Sequence, residues 1–190
     1  MKKTVVLCVL IAATACERAE DVPELQADSA ALQDQPAVEG AGAVLVVAMR
    51  NANGDSVGAA VLRGREGGVD ITLTASGLPP GEHGFHIHET GACEPPAFES
   101  AGAHFSPEAR EHGAENPNGP HAGDLPNVLV GAAGNAQATA VAQNVNLLRG
   151  DSASLLDADG SALVLHAGPD DYATDPDGNS GAGIACGVVE

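Results

Sequence analysis

The sequence predicts an all-β domain, an antiparallel sandwich or barrel of eight strands. Eight short apolar or alternating runs lie between residues 43 and 189, and turn-forming dipeptides separate several of them. The composition agrees. With 24 glycines, three Phe, one Tyr and no Trp, the core falls to Val, Leu, Ile and Ala, a mixture that suits short strands and many turns better than long helices.

The runs follow one another in a regular way. "AVLVVAM" (43–49) is separated from "VGAAVLR" (57–63) by Asn53-Gly54, a pair that favours tight hairpin turns. After Gly67-Gly68 comes "VDITLTA" (69–75). Here Val69, Ile71, Leu73 and Ala75 fall on one face, the alternation of a strand buried on one side. Pro79-Pro80-Gly81 leads into a histidine-rich run over 83–88. "VLV" (128–130) and "QATAVA" (137–142) flank Gly134-Asn135, Asp159-Gly160 precedes "ALVLH" (162–166), and "IACGVV" (184–189) completes the set. No internal repeat is visible. Two long polar segments rich in Gly and Pro, 89–127 and 167–183, break the spacing; long ordered loops in a compact β domain tend to carry function.

The N-terminus, "MKKTVVLCVLIAATAC", reads as a secretory signal over residues 1–15: Lys2 and Lys3, an apolar run from Val5 to Ala13, then small residues before Cys16. The run is too short to span a membrane as a helix. Two processing readings compete. "ATA" satisfies the small-x-small rule for ordinary cleavage, and the same stretch resembles a bacterial lipoprotein signal with Cys16 acylated. The second is favoured, because ordinary cleavage leaves Cys16 as an odd thiol in an oxidising compartment. Residues 16–42, rich in Ala, Glu, Gln, Asp and Pro with no convincing period, are expected to be an acidic disordered tether to a domain spanning 43–190.

The formal net charge is −18, from eight basic and 26 acidic residues. Loss of residues 1–15 removes two lysines and no acid, leaving −20 and no lysine at all. Such a chain lacks the basic clusters that bind nucleic acid or anionic lipid, so a membrane is reached only through a lipid on Cys16.

The seven histidines carry the chemical signal. In "GEHGFHIHE" (81–89), strand alternation sends His86 and His88 to one side and His83, Phe85 and Ile87 to the other. "HFSPEAREHGAENPNGPHAGD" (104–124) supplies His104, His112, His121 and Asp124, three imidazoles and a carboxylate that form a complete tetrahedral set for zinc. His166 ends a strand. No histidine lies outside these regions, which predicts a metal site.

These residues also carry a resemblance. "GFHIHE", "HFSP…HG…PHAGDLPN", "LVLHAGPDDY" and "GNSG…IACGVV" resemble the copper/zinc superoxide dismutases, especially their bacterial periplasmic branch, over residues 43–190. The resemblance implies an eight-stranded Greek-key barrel with two long functional loops. It implies copper on His86, His88, His104 and His166, with His104 bridging to zinc held by His112, His121 and Asp124. It further implies that Asp170 ties His86 to His112, that His83 is structural, and that Cys93 and Cys186 form a disulfide.

The implied function is superoxide dismutation by Cu(II)/Cu(I) cycling, yielding O₂ and H₂O₂. The implied location is the periplasm or cell envelope, with an outer-membrane lipid anchor at Cys16. A copper donor protein and a monomer or homodimer are the implied partners. One departure bears on rate: Gly183 stands where the family carries an anion-guiding arginine, and Ala173 where related bacterial sequences often have lysine. Residues 167–183 hold four Asp and no Lys or Arg. Two readings follow: a slowed dismutase, or a non-enzymatic protein that binds, stores or transfers copper and zinc in the cell envelope.

Overall fold

The computed structural model describes residues 42–190; the signal-like segment 1–15 and the tether up to residue 41, with Cys16, lie outside the described residues. Eight strands form where the alternating runs stand: β1 (Val44–Asn51), β2 (Ser56–Arg65), β3 (Gly68–Ala75), β4 (Gly81–His88), β5 (Asp124–Val130), β6 (Ala136–Gln143), β7 (Ser161–His166) and β8 (Gly183–Val189). Among the described residues the only helical element is a 3₁₀ turn at Glu99–Ala101.

All pairings are antiparallel, in the order β5-β4-β7-β8-β1-β2-β3-β6. The end strands β5 and β6 come side by side, so the sheet is a nearly closed barrel. Hairpins join β1 to β2 and β2 to β3, and a short turn over 131–135 joins β5 to β6. The chain crosses the barrel from β3 to β4 and from β6 to β7, which gives the Greek-key path.

The expected alternation decides the inside. Val69, Ile71 and Leu73 of β3 pack in one core with Leu62 of β2, Phe85 and Ile87 of β4, and Leu163 and Leu165 of β7. Each such side chain, wholly withdrawn from water, contributes about 1.5–3 kcal/mol. The core needs no tryptophan because short aliphatic side chains from facing strands fill the barrel.

Two loop boundaries differ from the sequence expectation. The first long loop ends at residue 123, because Asp124 already pairs with His86 as β5 begins. A third long connection, 144–160, was hidden by its apolar residues: Val145, Leu147, Leu155 and Leu156 are buried in the barrel core. An Asn146–Ser154 bridge closes this segment on itself. It is a core plug, whereas the other two long connections cover the barrel wall that carries the histidines.

Candidate metal centre

Strand β4 faces two ways. Phe85 and Ile87 enter the barrel core, while His86 and His88 leave by the outer face, under the connections 89–123 and 167–182. Both histidines are still buried, because those connections are knitted onto the strand. His104 forms a bridge with His88, Phe105 N–H donates to Ile87 O at 2.8 Å, and Ile87 N–H donates to Gly123 O at 2.9 Å. The approach is so close that a Cβ on Gly123 would lie 2.3 Å from Ile87 O. His166, the last residue of β7, pairs with Gly183 beside them.

The histidine and aspartate side chains singled out in the sequence gather into two groups that share His104. The first is His86, His88, His104 and His166; the second is His104, His112, His121 and Asp124. Within each group the candidate ligand atoms lie within 4.8 Å of one another.

Hydrogen bonds fix which nitrogen faces inward. In the first group His86 Nε2 lies 2.8 Å from Asp170 Oδ2, His88 Nδ1 2.9 Å from Gly102 O, and His166 Nδ1 2.8 Å from Gly181 O. His86 Nδ1 and the Nε2 atoms of His88 and His166 remain, the last two 3.3 Å apart. His86 Nδ1 and His104 Nε2 are fully buried without a hydrogen-bond partner. In the second group the Nδ1 atoms of His104, His112 and His121 converge on Asp124 Oδ1 at 2.9, 3.0 and 3.1 Å. Asp124 Oδ2 is held by the backbone N–H groups of Gly113 and His121.

The electrostatics of the groups are opposite. Burial pushes the His86 imidazole down to about 4, against the pull of Asp170, and His88 down to about 3. His166 moves the same way, also through burial. Neutral imidazoles keep a lone pair free for a metal. For His112 burial works against the charged form, but hydrogen bonds to Asp124 and Asp170 outweigh it and raise the imidazole to about 10. Burial likewise opposes ionisation of Asp124, and the three imidazoles overcome it, holding the carboxyl well below its usual range. This second group is a place for positive charge.

Asp170 ties the groups together. Its Oδ1 lies 3.0 Å from His112 Nε2 while Oδ2 holds His86. Sequence reasoning missed what holds Asp170. Asn127 braces its backbone from both sides, donating to Asp170 O and accepting from Asp170 N–H, each at 2.9 Å. Tyr172 donates its N–H to Asp170 Oδ1 at 2.6 Å. Gly178, at φ +65°, passes so near that a Cβ would lie 2.1 Å from Asp170 Oδ1. The Asp177-Gly178 dipeptide is a turn signal that marks this position. His83 stays outside both groups: its ring nitrogens lie 2.7 Å from His166 O and 2.8 Å from Pro79 O, bracing the backbone of a site residue.

Copper/zinc superoxide dismutase (SODC) is the family whose pattern matches residues 56–189. The chain belongs to the copper/zinc superoxide dismutase family. Superoxide dismutase (Cu-Zn) 2 of Aquifex aeolicus is 49% identical over 140 residues, 73% of this chain and 82% of the relative. A SOD-like protein from Bacillus subtilis superposes with a TM-score of 0.74 at 45% identity, over 78% of this chain and 100% of that one. The Cu/Zn superoxide dismutase from Brucella abortus does so with a TM-score of 0.64 at 32% identity, again over 78% and 100%.

Copper and zinc are this family's metals, and the donors present fit them. Two buried, unpartnered imidazole nitrogens converge in an all-nitrogen group, and three imidazoles with one carboxylate form the other. A disulfide joins Cys93 to Cys186 and so pins the first long connection to β8.

Gly183, where the resemblance places a guiding arginine, stands in a filled wall. Gly183 is buried, and a Cβ there would lie 2.8 Å from Ala97 O and 3.1 Å from the Phe98 ring. Phe98 is itself buried and left-handed, at φ 60°. A cavity of about 490 Å³ opens here onto His88, His104 and His166, with Phe98, Glu99 and Asp177 in its lining.

Proposed function

We propose that the chain dismutates superoxide in the cell envelope. The reading assigns copper to His86 Nδ1 and to the Nε2 atoms of His88, His104 and His166. It assigns zinc to the Nδ1 atoms of His104, His112 and His121 with Asp124. The observation that carries it is the shared imidazole: His104 turns Nδ1 to the carboxylate-bearing group and leaves Nε2 orphaned in the all-histidine group. A protein that only stores metal has no use for one ring spanning two sites.

Copper bound there supplies one-electron chemistry, accepting an electron from one superoxide, which leaves as O₂, and donating it to another, which leaves with two protons as H₂O₂. The chain's own residues do the rest. Asp170 fixes the rings of His86 and His112 relative to each other, so the two metal positions keep one geometry. His104 Nε2, on the cavity side, is placed to hold a proton beside the substrate. Burial keeps His86, His88 and His166 neutral and water-poor. Gly183 orients no anion, so turnover is slower than an arginine-guided site of this kind would give. The Cys93–Cys186 disulfide fits an oxidising compartment. Acylation at Cys16, delivery by a copper donor protein, and a monomeric or dimeric state belong to the same reading.

The test is the rate of superoxide loss with the chain loaded with one copper and one zinc, beside the zinc-only protein. Copper-dependent loss well above spontaneous decay is expected. Loss no faster than decay, with both metals tightly held, turns the reading to storage or transfer of metal, which the arginine-free cavity would then explain.

A further inference from the structure

A second cavity, of about 500 Å³, reaches the carboxylate-bearing group. Its lining includes His121 and Asp124 of that group, Arg110 of the first long connection, Pro126 of β5 and Val141 of β6. It shares only His121 with the cavity over the all-histidine group. Each half of the centre therefore has an opening of its own.

The second opening follows from how the barrel closes. β5 and β6 stand side by side, yet each ends the hydrogen-bonded order, so no ladder seals the seam between them. Pro126 helps to keep it unsealed, because proline brings no N–H to a neighbouring strand. Asp124 is the first residue of β5 and stands at the end of that seam. Among the histidines of its group His121 is the least covered, its side chain 10% exposed against 0% for His112 and 3% for His104. Moving that one ring is the smallest change that uncovers the group.

One side chain holds the ring's stem in place. The Arg110 guanidinium donates to Gly119 O, two residues ahead of His121, and Arg110 itself stands two residues ahead of His112. The two stems lie close: a Cβ on Gly119 would come 2.3 Å from Gly113 O, and Glu111 N–H donates to Asn118 O at 3.3 Å. A bond from a charged donor is the strongest kind of link across this gap. It lies at the cavity wall, where water competes for both of its partners.

Resting on the zinc assignment above, we propose that this cavity is the route by which zinc enters and leaves, with the Arg110–Gly119 clasp as its latch, so that zinc exchanges without passing through the copper cavity. When the clasp lets go, the 119–121 stem shifts toward the cavity and carries the His121 ring off Asp124. A route and a structural support differ in kinetics. Narrowing or unlatching a route changes uptake and release by the same factor and leaves their ratio, the affinity, alone. Weakening a support speeds release and leaves uptake as it was.

The experiment uses the full chain loaded with copper. Zinc uptake from solution and zinc release to a chromogenic chelator are timed separately, and copper release to a copper-selective chelator is timed beside them. Val141 is exposed on β6, so Val141→Trp grows a larger side chain into the cavity without disturbing the core; it is expected to slow both zinc rates several-fold. Arg110→Met keeps the apolar stem and removes the donor. It is expected to speed both zinc rates about tenfold, the lower end of what a hydrogen bond to a charged group is worth. In both variants zinc affinity and copper release should match the parent. Unchanged zinc rates in Val141→Trp, or copper release slowed equally, overturn the route. Faster release with unchanged uptake in Arg110→Met overturns the latch and makes Arg110 a support. A parent chain that takes up no zinc overturns the zinc assignment and the route with it, whereas the other outcomes overturn the route or the latch alone, and none of these readouts needs superoxide turnover.

Discussion

His86 and His112 are both fully buried, with ring centroids 5.7 Å apart and a hydrogen bond each to the same Asp170. Yet one imidazole is driven down to about 4 and the other up to about 10. Burial lowers both, more heavily for the deeper-packed His86, and the partners then differ. His112 has Asp124 as a second acceptor, whereas His86 has His104 and His166 as neighbours. Deeper burial and one carboxylate together decide which half of the centre is built around positive charge and which stays neutral and opens to a cavity. The half that carries Asp124 is suited to holding an ion, the all-imidazole half to a redox metal whose substrate must reach it.

The open half also depends on a wall, and removing its anchor is the largest expected perturbation. Cys93 and Cys186 lie against Phe98, Ala101, Ala162 and Val164, a small cluster separate from the barrel core. The bridge closes a loop of 93 residues, worth about 4–5 kcal/mol in the chain-entropy account. Cys93→Ser with Cys186→Ser should lower Tm by well over ten degrees. Zinc affinity, which the proposal places in the other half, should fall much less. Equal losses of both metals would dissolve the distinction between the halves.

Asp170→Asn attacks the link itself. The amide can accept from one ring but offers N–H toward the other, so one of His86 and His112 loses its orientation. Outer partners of metal ligands are worth about 10–100-fold in affinity. Both metals should weaken within that range, measured by competition with a chelator, while the fold survives. A loss confined to one metal would show that Asp170 serves one half alone.

A third prediction comes from the opposed imidazoles in the metal-stripped protein. His86 and His88 have folded values of about 4 and 3, below the ordinary 6.5, so between pH 6.5 and 4 the unfolded chain binds more protons. Stability is lost as pH falls through that window. His112 has the opposite sign: its contribution is complete below 6.5 and is lost as pH rises toward 10. Tm should therefore peak near pH 6.5 and decline on both sides. A profile flat from pH 4 to 10 would sink the assignment of opposite charge to the two halves.

Much of this was legible in the sequence because strand periodicity and histidine placement are local signals. Val69, Ile71, Leu73 and Ala75 declared an inner face, and His86 and His88 shared a side by alternation alone. Asp170 was identifiable through resemblance, four residues past His166. What holds Asp170 was not legible: Asn127 and Tyr172 reach it across 43 and two residues, and neither spacing is a motif. The plug at 144–160 was missed for a different reason. Its leucines carry no period, since an irregular segment can bury them at any spacing. Phe98 gave no warning either, because nothing in "PPAFES" (95–100) announces that an aromatic residue will turn left-handed against a glycine 85 positions later.

That last contact yields the smallest and most discriminating effect. Introducing the arginine that the resemblance implies, by Gly183→Arg alone, puts a Cβ 2.8 Å from Ala97 O, a backbone atom that cannot swing aside as a flexible side chain would. The single substitution should cost stability, in the 1–3 kcal/mol range typical of overpacking, with little gain in superoxide turnover. Phe98→Gly with Gly183→Arg removes the ring and gives the left-handed position to the residue that tolerates it. The 97–99 backbone can then shift, and the guanidinium gains a path to the cavity. Turnover by the copper- and zinc-loaded double variant should rise several-fold above the parent and begin to fall with added salt. If the single variant already does this at full stability, Phe98 is not what keeps the arginine out. If the double variant gains nothing, the missing guide is not what limits the open half.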